Sequence, residues 1–126
     1  MPKNNHSYDA PVSLEGFNQL VGRPAFELPI DAISRINTKR YFVTWDEVTE
    51  RRRNNPRVIM LRRMICKVLR EFGYSLPQIG LAMSRHHGAV LNNIDTLEDM
   101  LQYYPEVEAE YRAYKNDVER EISDAQ

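Results

Sequence analysis

Residues 75–97 have the sequence SLPQIGLAMSRHHGAVLNNIDTL, and this stretch decides the fold that the chain is expected to adopt. Ser75 and Gln78 form an S-x-x-Q capping box, which predicts that a helix begins here with a proline in its first turn. Ser84 can cap a second helix, whose apolar stripe of helical spacing starts at Val90. A short helix, a tight turn and a second helix with a polar, partly basic tip are typical of the helix-turn-helix motif.

A long amphipathic helix is predicted directly before this motif, over residues 56–72. Asn55 is a good N-cap, Pro56 suits the first helical position, and Gly73 can end the helix. Arg62 and the other basic residues are expected on different faces from the apolar side chains, which are Val58, Leu61, Ile65, Val68, Leu69 and Phe72.

A basic loop, RRRNNPR at residues 51–57, connects this helix to a shorter one. Thr44 and Glu47 form a T-x-x-E capping box, so the shorter helix is predicted to run from there to about Arg53. A further short helix over about 30–37 and an extended connector at 41–43 are expected before it.

The N-terminal end of the chain is predicted to be disordered, and the C-terminal end to be helical. We expect residues 1–12 to be disordered, with a short helix over about 13–21, and a helix-turn-helix domain to span residues 13–104. Pro105 can start a last, acidic amphipathic helix over 105–126, whose apolar stripe consists of Val107, Tyr111, Tyr114, Val118 and Ile122. No stretch alternates in the way a strand does, so the predicted fold class is all-α.

Charge is strongly segregated along the chain, although the net charge is only −1. Residues 35–70 contain eleven Lys and Arg against three acids, whereas residues 95–126 contain three against ten. The first block is expected to attract polyanions and the second to repel them. The single cysteine, Cys66, cannot form an internal disulfide, and no apolar run is long enough for a membrane span or a signal peptide. A cytoplasmic, nucleoid-associated protein is therefore expected.

The stretch over about 51–97 resembles the C-terminal DNA-binding domain of the bacterial replication initiator DnaA. The resemblance is carried by RRR at 51–53, Pro-Arg at 56–57, LRE at 69–71, SLPQIG at 75–80, and Arg, His and Val at 85, 87 and 90. It covers less than half of the chain. No G-x-x-x-x-G-K-[ST] phosphate loop is present, so the ATP-driven activity of the initiator is excluded for this chain alone.

The resemblance implies a grip on both grooves of double-stranded DNA. The loop arginines Arg51, Arg52, Arg53 and Arg57 would hold phosphates or enter the minor groove, and Ser75 would bind a phosphate through its hydroxyl and backbone N–H. The tip of the second helix would meet base edges in the major groove through Arg85, His86, His87, Gly88, Ala89 and Asn92. Arg85 would contact guanine, and Ala89 would touch a thymine methyl group. The tip departs from the family because His86, Gly88 and Ala89 replace an aspartate and two threonines.

Several of these residues have an alternative role. His86 and His87 are adjacent and lack further ligands, so solvent exposure or a DNA contact is favoured over a metal site. Cys66 is expected to pack in the core. The tyrosines of the acidic C-terminal part, Tyr103, Tyr104, Tyr111 and Tyr114, are expected to form core or a dimer face rather than a base-stacking surface. We find no set of catalytic residues and no cofactor motif, so the chain is not expected to be an enzyme.

The sequence thus supports two functions. The first is a sequence-specific double-stranded DNA-binding protein that regulates or assists replication or transcription. The second is a protein-interaction adaptor that uses the acidic last helix as its partner or dimer surface. A further hypothesis is that this helix covers the basic face and inhibits DNA binding.

Overall fold

The protein is all-helical over the residues that the computed structural model describes, which are 28–51 and 55–125. These residues form six helices and no strand: α1 (Ile30–Tyr41), α2 (Trp45–Thr49), α3 (Pro56–Glu71), α4 (Leu76–Met83), α5 (His87–Tyr103) and α6 (Pro105–Ala125). The expected all-α class is confirmed. The disorder expected for residues 1–12 and the helix expected over about 13–21 lie outside the described residues.

α3 is the central helix and packs against each of the other five. Its predicted apolar face is buried, from Val58 to Phe72, and Cys66 is buried with it. Tyr111, Tyr114 and Val118 of α6 belong to the same core. The last helix is therefore built into the core that supports α4 and α5.

Local signals in the sequence place most helix ends. The capping boxes at Thr44 and Ser75 are both formed, and the Asn55 side chain accepts the N–H of Arg57 at 2.8 Å. α3 ends at Glu71, one residue before the predicted end, with Phe72 as its C-cap, and Gly73 follows with a positive φ of 103°. Proline provides the first residue of α6, as expected.

Other elements differ from the prediction. α1 continues to Tyr41, four residues beyond the expected end, and α2 ends at Thr49 instead of about Arg53. The expected extended connector at 41–43 is not formed, because Phe42 is the C-cap of α1 in the left-handed conformation. Arg62 is buried, although charged residues of α3 were expected outside the core.

The turn between α4 and α5 also differs from the expectation. Ser84 does not cap α5; it ends α4 in the left-handed conformation, and His86 is the N-cap of α5. The Arg85 N–H donates to the Gly80 carbonyl at 2.9 Å. A Cβ atom at position 80 would lie 2.5 Å from the Arg85 carbonyl oxygen, so only glycine allows the turn to approach α4 this closely.

Carboxylates of α6 attach this helix to α1. Glu121 pairs with Arg35 at 2.7 Å, Asp117 pairs with Arg40 at 2.9 Å, and Tyr41 donates a hydrogen bond to Glu110. The acidic side of α6 therefore neutralises the basic side of α1, which explains part of the charge segregation in the sequence.

A second cluster joins α6 to α3 around Glu71. Its carboxylate accepts from the Tyr111 hydroxyl at 2.5 Å and the Lys115 ammonium at 2.9 Å, and it pairs with Lys67 at 3.1 Å. Burial disfavours the charged form of Glu71, but these three partners outweigh it and lower its pKa. The charged carboxylate therefore stabilises the fold.

Acid is expected to weaken the attachment of α6 to α3 at Glu71. Because the pKa of Glu71 is lower in the folded chain than its ordinary value of 4.5, its contribution is present above that pH and is lost as the pH falls through the folded pKa. We expect Glu71→Gln to lower the free energy of unfolding at pH 7, and the difference from the wild type to shrink toward pH 3. Urea denaturation between pH 7 and pH 3 measures this difference in the free energy of unfolding. Asp99→Asn, at an exposed position of α5, is the control. A difference that stays constant with pH would contradict the role of the charge.

Candidate nucleic-acid interface

Two arginines bind the C-terminal end of α2. The last hydrogen bond of this helix runs from Glu50 N–H to the Asp46 carbonyl, so the carbonyls of residues 47–50 have no partner within the helix. Arg62 Nε donates to Val48 O at 2.6 Å, and its Nη2 reaches Glu50 O at 2.7 Å and Glu47 O at 3.4 Å. Arg85 donates to Thr49 O at 2.9 Å and to Glu50 O at 3.0 Å. All four carbonyls are therefore bound by guanidinium groups.

These bonds give Arg85 a different role from the one that the resemblance implies. Its Nη1 also lies 3.2 Å from the carbonyls of Met83 and Ser84, so the guanidinium is surrounded by backbone oxygens of its own chain. In this arrangement it cannot also make a bidentate contact with guanine. Arg85 instead ties α2 to the turn between α4 and α5.

As a consequence, the basic loop begins beside the tip of α5. Glu50 is held against the turn by Arg85, and the exposed Arg51 follows Glu50 directly. Two parts of the predicted DNA surface that lie more than thirty residues apart in the sequence are thus brought together. Arg52 and Arg53 lie outside the described residues.

The tip of α5 is open to solvent. His86, His87, Gly88 and Asn92 are exposed, and Ala89 is partly exposed. The Gly88 N–H donates to His86 Nδ1 at 3.0 Å, so the imidazole caps the helix through one nitrogen. The rings of His86 and His87 lie next to each other, with their centroids 4.2 Å apart.

No acidic residue occurs between residues 76 and 94, although the chain contains 18 Asp and Glu. This range comprises α4, the turn and the first two turns of α5. At the tip, α4 and the first two turns of α5 therefore present polar side chains and backbone N–H groups and no carboxylate; the first acidic residue of α5 is Asp95.

Ser75 and Arg57, two further predicted phosphate contacts, use some of their hydrogen-bond donors within the chain. The backbone N–H of Ser75 donates to the Gln78 side chain at 2.8 Å, so it is not available for a phosphate, and the Ser75 hydroxyl oxygen accepts the Gln78 N–H. Arg57 is exposed, and its Nη1 donates to the Tyr41 carbonyl at 3.1 Å. Arg57 keeps donors for an outside partner, whereas Ser75 keeps only its hydroxyl proton.

Four large apolar side chains are exposed among the described residues: Leu81 of α4 (86%), Phe42 (81%), Tyr103 (73%) and Tyr104 (49%). The exposure of Leu81 and Phe42 was not predicted. The apolar period of α4 places Ile79 and Met83 in the core, so the outward position of Leu81 between them could have been inferred. The exposure of Phe42 depends on its unusual backbone conformation, for which the sequence carries no signal.

Cys66 has the expected structural role. It is fully buried, and burial raises the pKa of its thiol to about 12, so the thiol stays protonated at neutral pH. A thiol of this kind is a poor nucleophile, because the thiolate is the reactive form. The described residues contain no group of three or more His, Cys, Asp and Glu that could hold a metal ion.

An open groove of about 390 Å³ lies between α3, α5 and α6 on a different part of the molecule. Its cationic side chains are each matched within the chain: Lys67 and Lys115 with Glu71, and Arg112 with Glu108. The groove therefore holds side chains that join helices, and it offers no cluster of unmatched charge of one sign.

Comparisons with protein-family models, with curated proteins and with solved structures find no match to this chain. The resemblance to the initiator domain thus stays a prediction from the residues quoted above. No helix among the described residues is both long and apolar enough to cross a membrane.

The role of Arg85 can be tested through stability. Arg85→Ala removes the charged donor that joins α2 to the turn, and we expect a loss of about 1.5–3 kcal/mol in the free energy of unfolding. Urea denaturation, followed by the fluorescence of the single tryptophan Trp45, measures this loss. Arg120→Ala, a substitution of an exposed arginine on α6, is the matched control and should be nearly neutral. Equal stability of the two variants would contradict the proposed bracing role.

Proposed function

We propose that the chain is a double-stranded DNA-binding protein that inserts the tip of α5 into the major groove and places its basic loop on the adjacent backbone. The observation that carries this proposal is the bond network of Arg85, which holds the start of the loop at residues 50–51 against the turn that precedes α5. The absence of acidic residues over 76–94 supports the same orientation toward a polyanion.

Base contacts are assigned to the exposed face of the first turns of α5. Gly88 and Asn92 are four residues apart, so they lie on the same face of the helix, and both are exposed. Gly88 has no side chain to separate the helix from the groove, and the amide of Asn92 can bind the N6 and N7 atoms of adenine. His86 and His87 can reach bases or phosphates beside them.

The acidic last helix is not expected to block this surface. Glu110, Asp117 and Glu121 bind cationic or hydroxyl groups of α1, and none of the described ion pairs joins α6 to Arg51 or to the α5 tip. Covering of the DNA face by α6 is therefore a weaker hypothesis than a structural role for this helix.

Regulation or assistance of replication or transcription is the biological role that fits best. It follows from the resemblance of residues 51–97 to the initiator domain, together with the lack of a nucleotide-binding loop in this chain. Replacement of the threonines of the family by Gly88 and Ala89 suggests that the preferred site differs from that of the initiator.

Binding to a labelled duplex of about 20–30 base pairs, measured by fluorescence anisotropy from about 50 to 200 mM salt, tests the proposal. The wild type should bind at low salt and lose affinity steeply as salt increases, because phosphate contacts release counterions. Arg51→Ala should weaken binding to every duplex and reduce the salt slope by about one. Arg120→Ala is the control and should bind like the wild type. No binding at low salt would overturn the proposal.

Base recognition needs a separate test, with duplexes selected by the wild type from a random pool. On the selected site, Asn92→Ala should lose about 1–3 kcal/mol of binding free energy, while its affinity for random duplex should change little. Asn116→Ala makes the same substitution at an exposed position of α6 and should leave both affinities unchanged. Equal losses on both duplexes for Asn92→Ala would contradict base recognition by this residue.

An adaptor is the second candidate, and one observation favours it. Tyr103 and Tyr104 are exposed at the junction of α5 and α6, where aromatic side chains could meet another protein. Tyr111 and Tyr114 cannot supply this surface, since both are buried in the core. A chain that binds no duplex but forms dimers through Tyr103 and Tyr104 would support this candidate.

A further inference from the structure

The imidazole of His86 is held in one orientation by two contacts. Its Nδ1 atom accepts the Gly88 N–H at 3.0 Å, and the ring of His87 lies beside it, with the ring centroids 4.2 Å apart. A Cβ atom at position 88 would lie 3.3 Å from His86 Nδ1, so glycine leaves the imidazole room to come this close. The ring is therefore positioned in the free protein, which lowers the conformational entropy that binding must remove.

The bond to Gly88 also decides which nitrogen of the neutral His86 ring carries the proton. A neutral imidazole has one donor nitrogen and one acceptor nitrogen, and the acceptor has no proton of its own. Because Nδ1 is the acceptor, Nε2 carries the N–H. The side chain is exposed, and the described residues provide no acceptor for this N–H. His86 thus presents one donor and no acceptor to an outside partner.

The backbone on both sides of His86 is fixed as well. The guanidinium of the preceding residue, Arg85, is bound to the carbonyls of Thr49 and Glu50. On the other side α5 begins, and the Ala89 N–H donates to the His86 carbonyl at 2.9 Å. His86 therefore lies where the braced turn meets the helix that is proposed to enter the major groove.

We propose that His86 is a specificity-determining residue, which donates from Nε2 to the N7 atom of a purine in the major groove. This inference rests on the DNA-binding function proposed above and names one contact of the same site. A donor without a free acceptor matches N7 and opposes the N4 donor of cytosine, while thymine offers its acceptor only beside a methyl group. Guanine is preferred, because its N7 adjoins a second acceptor, O6, whereas the N7 of adenine adjoins a donor.

A base is favoured over a phosphate as the acceptor of this N–H. Phosphate oxygens are bound best by cations, and Arg51 and Arg57 are the exposed cations of the proposed backbone contact. His86 contributes a neutral donor of fixed direction, which suits a single acceptor atom on a base edge. Arg85, which the resemblance assigns to guanine, is bound to carbonyls of its own chain, so the purine contact passes to the next residue.

His86→Ser is the decisive variant. Serine is a good N-cap whose hydroxyl can accept the Gly88 N–H, so the start of α5 is kept while the Nε2 donor is lost. His87→Ser, which removes the neighbouring imidazole, is the matched comparison. Anisotropy measures the affinity of each protein for random duplex, for the site that the wild type selects from a random pool, and for copies of that site in which one purine at a time is replaced by its 7-deaza analogue, which lacks the N7 acceptor. Urea denaturation establishes that each protein is folded.

We expect the wild type to lose about fivefold to tenfold in affinity when one particular purine lacks N7, on the scale of one hydrogen bond. His86→Ser should bind the unmodified site more weakly by a similar factor. It should show no further loss with that analogue, since both changes remove the same bond. His87→Ser should remain sensitive to the analogue.

Several outcomes would overturn the contact. If His86→Ser stays sensitive to every analogue that weakens the wild type, or loses as much affinity for random duplex as for the selected site, base recognition by His86 is refuted while the DNA-binding function stands. A proton on His86 Nδ1, detected by NMR of the free protein at about pH 8, would refute the donor assignment without any DNA. If the wild type itself binds no duplex at low salt, the DNA-binding function fails and the His86 contact fails with it.

Discussion

The binding of the α2 carbonyls by Arg62 and Arg85 is the interaction on which the arrangement of the proposed DNA surface depends. A helix of five residues is too short to be stable by itself, and its four terminal carbonyls carry the negative end of the helix dipole. Guanidinium groups are suited to this end because they offer several donors and a positive charge. The burial of Arg62 is compensated by these bonds. α2, α3 and the turn before α5 thus form one unit.

The same constraint explains which parts of the fold could be predicted from the sequence. Capping boxes at Thr44 and Ser75, and the Asn-Pro start of α3, act within four residues, so their patterns were sufficient. The partners of Arg85 are 35 and 36 residues away, and no local pattern indicates them. For this reason α2 was expected to be longer and Arg85 was assigned to a base.

The exposed residues described with the candidate site also include some that the sequence predicts and some that it does not. Exposure of His87, Gly88 and Asn92 follows from their positions at a helix start and opposite the apolar stripe, and the sequence predicted it. Phe42 could not be recognised, because it occupies a left-handed helix end that normally contains glycine. Features set by local chemistry were thus predictable, and features set by strained or distant contacts were not.

The positions of the charges matter more for the proposed DNA surface than the net charge does. A chain with a net charge of −1 has no overall attraction for DNA, so the proposed binding depends on where charges are neutralised. Pairing of Arg35, Lys39 and Arg40 with carboxylates of α6 reduces the field of the acidic helix, since paired opposite charges act at a distance only as a dipole. At physiological salt the Debye length is about 8 Å, so a phosphate at the α5 tip senses mainly nearby groups. Residues 76–94 contribute Arg85 and no carboxylate, and Glu50, which Arg85 holds beside the turn, is followed by the exposed Arg51. The α5 tip is therefore the approach that the proposed DNA binding would use.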